Sequence, residues 1–392
     1  MTHRAKGLLI LFGVGLAAVM GLLAMSLSGR GMTLASCDRA PGDWWDMTTT
    51  LLRHYRPPCE DFYWLPNPDD EFHNRIRLNN FGLHDTTMSM DKPDGVYRVL
   101  LLGDSFAQGW QVTLEQGFPY LLEQALSGDA RVEVINLSVD AIGTDRELLL
   151  YSILGWRFRP DLVLLAIYAG NDTQDNSIDL ETLRYGYRQQ RPFFTLEDGV
   201  LSLHNSPVYS PGRYDSPPAY LWLAGMQARQ GALPEENLPP VPRVLSREPY
   251  ELEYPVELGM YLKEDAHWAN AWALTEALIV QMRDLAQAQG SRFAALIIPD
   301  RRAVHSEDWD FTVQEHPFLQ DADLLAPITR MEEVLARNGI PALNLTWNLR
   351  AWLMRNAGER LYYGGDGHFN ANGHAVTAQR LAGWLRAEEL VP

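Results

Sequence analysis

The sequence has no basic excess. Its 33 lysines and arginines are set against 50 aspartates and glutamates, for a formal net charge of −17. A chain of that sign has little to neutralise phosphates with, which argues against a nucleic-acid partner. It shows no repeat of fixed period and no low-complexity tract, so repeat architectures are set aside. Its 10 histidines do not cluster at zinc-like spacing, and no metal or other cofactor is expected. Cysteine is scarce, with only Cys37 and Cys59 present.

What remains is a folded chain. An apolar fraction of 46% and a charged fraction of 21% are those of a globular protein. Its 392 residues can build one large domain or two modest ones. The N-terminus differs from the rest. Gly7 to Leu27 reads "GLLILFGVGLAAVMGLLAMSL" without a charge, and about 20 helical residues span a bilayer core. Arg4 and Lys6 precede it, which puts residues 1–6 in the cytoplasm and everything after Leu27 beyond the inner membrane. A cleaved signal peptide has an apolar region of about 7–15 residues and a small-residue cleavage site. This run is longer and lacks a clear site, so residues 7–27 are read as an uncleaved single-pass anchor. Gly13, Ala17 and Gly21 share one face of that helix and could bring two copies together as a homodimer.

Residues 28–95 are rich in Pro, Asp, Asn and Trp and read as a stalk and an N-terminal embellishment. In an oxidising compartment Cys37 and Cys59 would pair, closing a loop worth roughly 3 kcal/mol on the chain-entropy model. A competing reading takes "LASC" (Leu34 to Cys37) as a lipoprotein processing box, but Gly29-Arg30-Gly31 separates it from the apolar run.

From Val96 the rhythm changes. Short aliphatic runs alternate with amphipathic stretches, the signature of a parallel sheet with crossover helices. Strands are expected at Tyr97–Leu102, Val132–Leu137, Leu162–Ile167, Phe293–Ile298 and Ala342–Leu345. Helices are expected at about Glu115–Leu126, Asp145–Trp156, Trp268–Gln289, Leu324–Asn338 and Trp347–Asn356, with a last one after Asn372. Residues 177–267 break the pattern. They carry many prolines and aromatics (Tyr185, Tyr187, Phe193, Phe194, Tyr220, Trp222) and read as a cap inserted into the domain at 96–392.

The strand ends carry the chemistry. "VLLLGDSFAQGW" passes from Val99–Leu102 straight into Gly103-Asp104-Ser105. Alone, this is ordinary turn composition. The third strand, "DLVLLAIYAGND", ends in the same way at Gly170-Asn171-Asp172. In a doubly wound sheet ligands sit outside the carboxyl ends of strands at the switch point, so Ser105 and Asn171 would face one crevice. Gly143, in "AIGT" after the second strand, stands just before a helix, where a backbone N–H is a natural anion donor. "YYGGDGHFNANGH" then supplies Asp366 and His368. Two residues apart in an extended loop, the carboxylate could orient the imidazole as the base a serine needs.

These segments, in this order, resemble the SGNH (GDSL-type) hydrolases and acyltransferases: Ser105 in "GDS", Gly143 in "AIGT", Asn171 in "GND", His368 in "DGHFN". The resemblance covers roughly residues 96–175 and 290–392. It implies a flavodoxin-like three-layer α/β sandwich around a central five-stranded parallel sheet. It also implies Ser105 as nucleophile, His368 as base and Asp366 as the acid. The Ser105 and Gly143 N–H groups and the Asn171 side chain would then form an oxyanion hole. Each preorganised donor in such a hole is worth about 2.7–4 kcal/mol. Many members place the acid three residues before the histidine, where this chain has Gly365.

A second acid–histidine pair, Asp265 and His267 in "KEDAHWANAW", resembles the "DxHW" pattern of some alginate-modifying relatives; it precedes a long helix that Asp265 would cap. His374 opens the last helix and reads as structural, while Asp172 and Asn176 read as ordering the loop around Asn171. The 12 tryptophans and the aromatic cap suggest carbohydrate stacking. The expected function is an extracytoplasmic esterase acting on O-acyl, above all O-acetyl, esters of cell-envelope carbohydrate. The alternatives are an O-acyltransferase using the same serine and an inactive glycan-binding member.

Overall fold

The computed structural model describes residues 62–63, 71–128, 131–186, 191–204, 254–262 and 266–392. The expected anchor with Gly13, Ala17 and Gly21, the cysteine pair, most of the stalk, and Asp265 lie outside the described residues. Among the described residues no helix is long and apolar enough to cross a membrane.

Strands β1 (Phe62–Tyr63) and β2 (Arg75–Ile76) form a short antiparallel pair. The central sheet begins with β3 (Val96–Gly103), β4 (Arg131–Asn136) and β5 (Leu162–Tyr168). A hairpin of β6 (Phe193–Glu197) and β7 (Val200–His204) interrupts it. The sheet is completed by β8 (Arg292–Ile298) and β9 (Ala342–Asn344). Its five strands run β4-β3-β5-β8-β9, every pair parallel. This is the flavodoxin-like order, with the switch point between β3 and β5.

Helices cover both faces, which is why the strands read as unbroken apolar runs rather than alternating ones. Val99, Leu100, Leu101 and Leu102 are all fully buried. Leu100 and Leu102 enter one core with Val163, Leu165 and Ile167, while Val99 and Leu101 enter the other with Leu162, Leu164 and Ala166. In chain order the helices are α1 (Ser105–Gln108), α2 (Phe118–Leu126), α3 (Thr144–Ile153), α4 (Asp172–Asn176) and α5 (Ile178–Tyr185). They continue with α6 (Ala266–Ala288), α7 (Ser306–Glu315), α8 (Ala326–Arg337), α9 (Thr346–Arg355) and α10 (Ala371–Ala387). Helices α3, α6 and α8 pack on the first face, and α2, α9 and α10 on the second.

Two expected helices are shorter than their periodicity suggests. The one expected at Glu115–Leu126 is a 3₁₀ turn, Leu114–Gln116, followed by α2, because Gly117 is extended between them and Pro119 must sit in a first turn. The one expected at Asp145–Trp156 stops at Ile153 and continues as a 3₁₀ turn over Gly155–Phe158. The described part of the insertion holds the β6–β7 hairpin and α5. Its root is tied down by a buried arginine. Arg191 donates from Nε to Glu181 Oε2 at 2.7 Å, from Nη1 to Asp145 Oδ2 at 2.5 Å, and from Nη2 to the Asp175 carbonyl at 2.6 Å.

Candidate active site

Strand β3 ends where only glycine fits. A Cβ on Gly103 would meet the Cβ of Ala107 at 2.9 Å and that of Ala166 at 3.2 Å. Asp104 then caps α1, its Oδ1 accepting from the Phe106 N–H at 2.9 Å. Turn chemistry and serine presentation are therefore one device: the cap sets the first turn, and Ser105 is its first residue. Asp104 is wholly buried, and that burial pushes its carboxyl up to about 6, against the opposing pull of the Phe106 N–H, His368 and the Asn171 side chain.

The Ser105 hydroxyl and His368 Nε2 are 2.7 Å apart. On the far side of the ring, His368 Nδ1 lies 2.7 Å from Asp366 Oδ1. A carboxylate accepts only, so it places the imidazole proton on Nδ1 and leaves the Nε2 lone pair to accept from the serine O–H. Ser105 and His368 are both partly accessible.

The loop expected to be extended around Asp366 is a tight turn. The Tyr363 N–H donates to the His368 carbonyl at 2.8 Å, and the Gly367 N–H donates to the Tyr363 carbonyl at 3.1 Å. Gly367 takes a φ of +88°, which an L side chain rarely adopts. The turn also lets Asp366 Oδ1 accept the His368 backbone N–H at 3.2 Å. Beneath the imidazole lies Phe106, its ring 4.9 Å from that of His368 and stacked on Tyr168 at 3.9 Å. Tyr168 is anchored in turn by donating to Asp300 Oδ2 at 2.9 Å.

Gly143 stands at the N-terminus of α3, pressed onto α4. A Cβ there would lie 2.6 Å from Asn176 Oδ1 and 3.1 Å from the Asp172 carbonyl. Asn176 holds this junction by accepting from the Asp145 N–H and donating to Thr275 Oγ1, both at 2.9 Å. Asp172 Oδ2 accepts the Tyr168 N–H at 2.9 Å. Asn171 immediately precedes α4, its Oδ1 buried without a partner. Ser105, Gly143 and Asn171 thus stand on the carboxyl-end connections of β3, β4 and β5, around the switch point.

The other histidines singled out in the sequence sit elsewhere. His374 is buried and accepts the Phe118 N–H on Nδ1 at 3.1 Å; burial, before the charge of His368, lowers it to about 3. His267 lies in the first turn of α6, and its proposed partner Asp265 is outside the described residues. No group of three or more histidines, cysteines, aspartates or glutamates that could hold a metal ion occurs among the described residues.

Three features went unread in the sequence. Glu147, on α3, is fully buried with neither carboxyl oxygen bonded; burial and then the charge of Asp104 push it, and likewise Asp172, well above the ordinary carboxylate range. A cleft of about 370 Å³ runs beside the histidine turn, lined by Arg301, Arg302, Asp308, Phe311, Thr312, Glu315 and His316. Arg301 joins the two by donating to the Gly364 carbonyl, and Phe311 is 64% exposed. The third is Glu71, whose carboxylate accepts from the backbone of the same turn.

No family model and no curated protein matches the chain. Among solved structures it is similar to TesA, at 14% identity over 74% of this chain and 96% of that one, with a TM-score of 0.35. It is also similar to the acetyl xylan esterase AlAXEase, at 13% identity, 72% and 97% coverage and a TM-score of 0.38. A lipase/acylhydrolase from Enterococcus faecalis aligns at 11% identity, 74% and 96% coverage and a TM-score of 0.36.

Proposed function

We propose that the chain is a serine acylhydrolase of the SGNH type, acting outside the cytoplasm on O-acyl, and first of all O-acetyl, esters of cell-envelope carbohydrate. The observation that carries this reading is the continuous chain from Ser105 Oγ through the His368 ring to Asp366, at 2.7 Å on each side of the imidazole.

In this mechanism the serine Oγ bonds to the ester carbonyl carbon while its proton passes to His368 Nε2. Negative charge then gathers on the carbonyl oxygen, toward the Ser105 and Gly143 N–H groups and the Asn171 amide. Asp366 stabilises the imidazolium that has formed. Collapse of the tetrahedral intermediate breaks the bond to the alcohol oxygen, which takes the proton from Nε2. Water, deprotonated by the same nitrogen, attacks the acyl-serine, and as the acyl–Oγ bond breaks Oγ takes that proton from Nε2, releasing a carboxylic acid and free Ser105.

The carbohydrate assignment rests on the cleft beside the histidine turn, where one exposed aromatic ring stands among arginine, carboxylate and hydroxyl groups. A sugar offers just such a mixture, an apolar ring face and many hydroxyls. The extracytoplasmic setting rests on the apolar run at 7–27 and the basic residues before it.

Labelling with a fluorophosphonate tests the chemistry: wild type gains the adduct on Ser105, and Ser105→Ala gains none. An unlabelled wild type would mark the inactive glycan-binding alternative and end the enzymatic reading. Incubation with an acetylated envelope polysaccharide then separates two outcomes. Free acetate supports hydrolysis, whereas acetyl transferred to a second glycan without free acid would assign the same serine to an O-acyltransferase.

A further inference from the structure

We propose that Glu71 is a positioning residue for the acid–histidine turn, which deepens the hydrolase reading and rests on it. The residue belongs to the segment before the α/β domain and lies 295 positions from Asp366. Its Oε1 accepts from the Gly364 N–H at 2.7 Å and the Gly365 N–H at 3.0 Å. Its Oε2 accepts from Gly365 at 3.1 Å and from the Asp366 N–H at 2.9 Å. Three successive amides converge on one carboxylate, the arrangement by which backbone concavities bind anions.

One of those amides belongs to the proposed catalytic acid itself. Fixing it fixes the Cα of Asp366, and with it the oxygen that meets His368 Nδ1. Glycines at 364, 365 and 367 leave this backbone with more freedom than any other residue would. The turn's two backbone hydrogen bonds, between Tyr363 and His368 and between Gly367 and Tyr363, close it, Asp366 Oδ1 ties back to the His368 N–H, and Arg301 holds the Gly364 carbonyl; none of these takes the N–H groups of 364–366. Glu71 takes those three amides from outside, on the edge that carries Asp366.

The segment bearing Glu71 is itself held against the site. Asn74 Nδ2 donates to the Trp110 carbonyl at 3.2 Å, and the Phe72 ring lies 5.0 Å from that of Tyr363. His84 Nδ1 lies 3.0 Å from the Gln108 carbonyl, and the Asn136 N–H donates to Asp85 Oδ2 at 2.8 Å. The same stretch of chain thus touches the turn with the acid and the histidine, the helix with the serine, and the end of β4. It acts as a template that sets these elements against one another.

The test uses the full chain as wild type, Glu71→Gln and Glu71→Asp. Turnover of p-nitrophenyl acetate, the rate of fluorophosphonate labelling and amide exchange at residues 364–366 are measured well below each variant's melting temperature. In Glu71→Gln the amide NH₂ faces an N–H and cannot accept from it, so the turn loses its register. Small displacements of reacting groups are costly in rate, and kcat falls about 10-fold with KM unchanged. Labelling slows by the same factor, and the three amides exchange faster. Glu71→Asp keeps the charge on a shorter stem and recovers part of the loss. A Glu71→Gln enzyme that turns over and labels at the wild-type rate, whatever its melting temperature, overturns the positioning role and leaves a mere clasp. A wild type that neither turns over nor labels instead sinks the hydrolase reading, and the role of Glu71 in it.

Discussion

Asp366 holds His368 at two points with one oxygen, accepting from the backbone N–H at 3.2 Å and lying 2.7 Å from the ring Nδ1. The first contact is local turn chemistry and the second orients the imidazole. Because both use Oδ1, the geometry of the turn and the orientation of the imidazole cannot be changed separately. A spacing of two residues between carboxylate and histidine therefore still brings the carboxylate onto the ring, given that Gly367 turns the chain between them.

Replacing Asp366 with Asn keeps an acceptor oxygen in the turn and removes its negative charge. The amide oxygen still accepts one N–H, so the fold and melting temperature hold. The imidazolium that forms during turnover loses the negative charge that stabilises it, and kcat falls about 10³–10⁴-fold in steady-state ester hydrolysis. A loss below tenfold would take Asp366 out of the mechanism.

Gly143→Ala puts a Cβ 2.6 Å from Asn176 Oδ1. The flexible partner here is an amide already bonded on both sides, so the strain moves into the α3–α4 junction and displaces the Gly143 N–H. Loss of one oxyanion donor lowers kcat about 10²–10³-fold. The check is kcat with the folded fraction measured on the same sample. An alanine variant with wild-type kcat would mean that this N–H plays no part.

Asp104 makes the fold sensitive to pH. Its carboxyl is raised to about 6 when buried and is ordinary when unfolded, so the folded state holds the proton more tightly. The stability this lends is complete below the unfolded value, near pH 4, and is lost as pH rises through about 6. Asp104→Asn keeps the cap on Phe106 and removes the titration. Denaturant unfolding of the two proteins should then show wild type losing ground to the variant between pH 4 and pH 6. Parallel curves would contradict this.

Phe311→Ala probes the cleft. The variant should raise KM for an acetylated oligosaccharide by about tenfold, the order expected when an aromatic contact worth about 1.4 kcal/mol is lost. Hydrolysis of p-nitrophenyl acetate, which has no sugar to pack on the ring, should be unaffected. An equal effect on both esters would move the sugar site elsewhere.

The sheet was legible because both of its faces are covered: Val99–Leu102 and Leu162–Ile167 are unbroken apolar runs, and the strands expected at Tyr97–Leu102 and Leu162–Ile167 each match an observed strand to within a residue. Helix α7 was not, since it buries no side chain and so leaves no apolar stripe to read. The hairpin at Phe193–His204 was missed inside a stretch judged by its prolines and aromatics. At the site, the sequence named Ser105, His368 and Asp366, and the structure brings them into contact. Glu71 left no trace, because its partners are backbone amides, which any sequence possesses. The meaning of an isolated glutamate depends on where the chain returns some 290 positions later.

The arginine at the root of the insertion has one more consequence. Arg191 grips Asp145, two positions from Gly143, and in the same grasp Glu181 and the Asp175 carbonyl. Whatever sequence replaces residues 205–253 in a chimera must hand the chain back to this anchorage. A graft spliced outside it would inherit the Gly143 turn intact, while one that cuts through residues 175–191 would unmoor the Gly143 side of the site from its own scaffold.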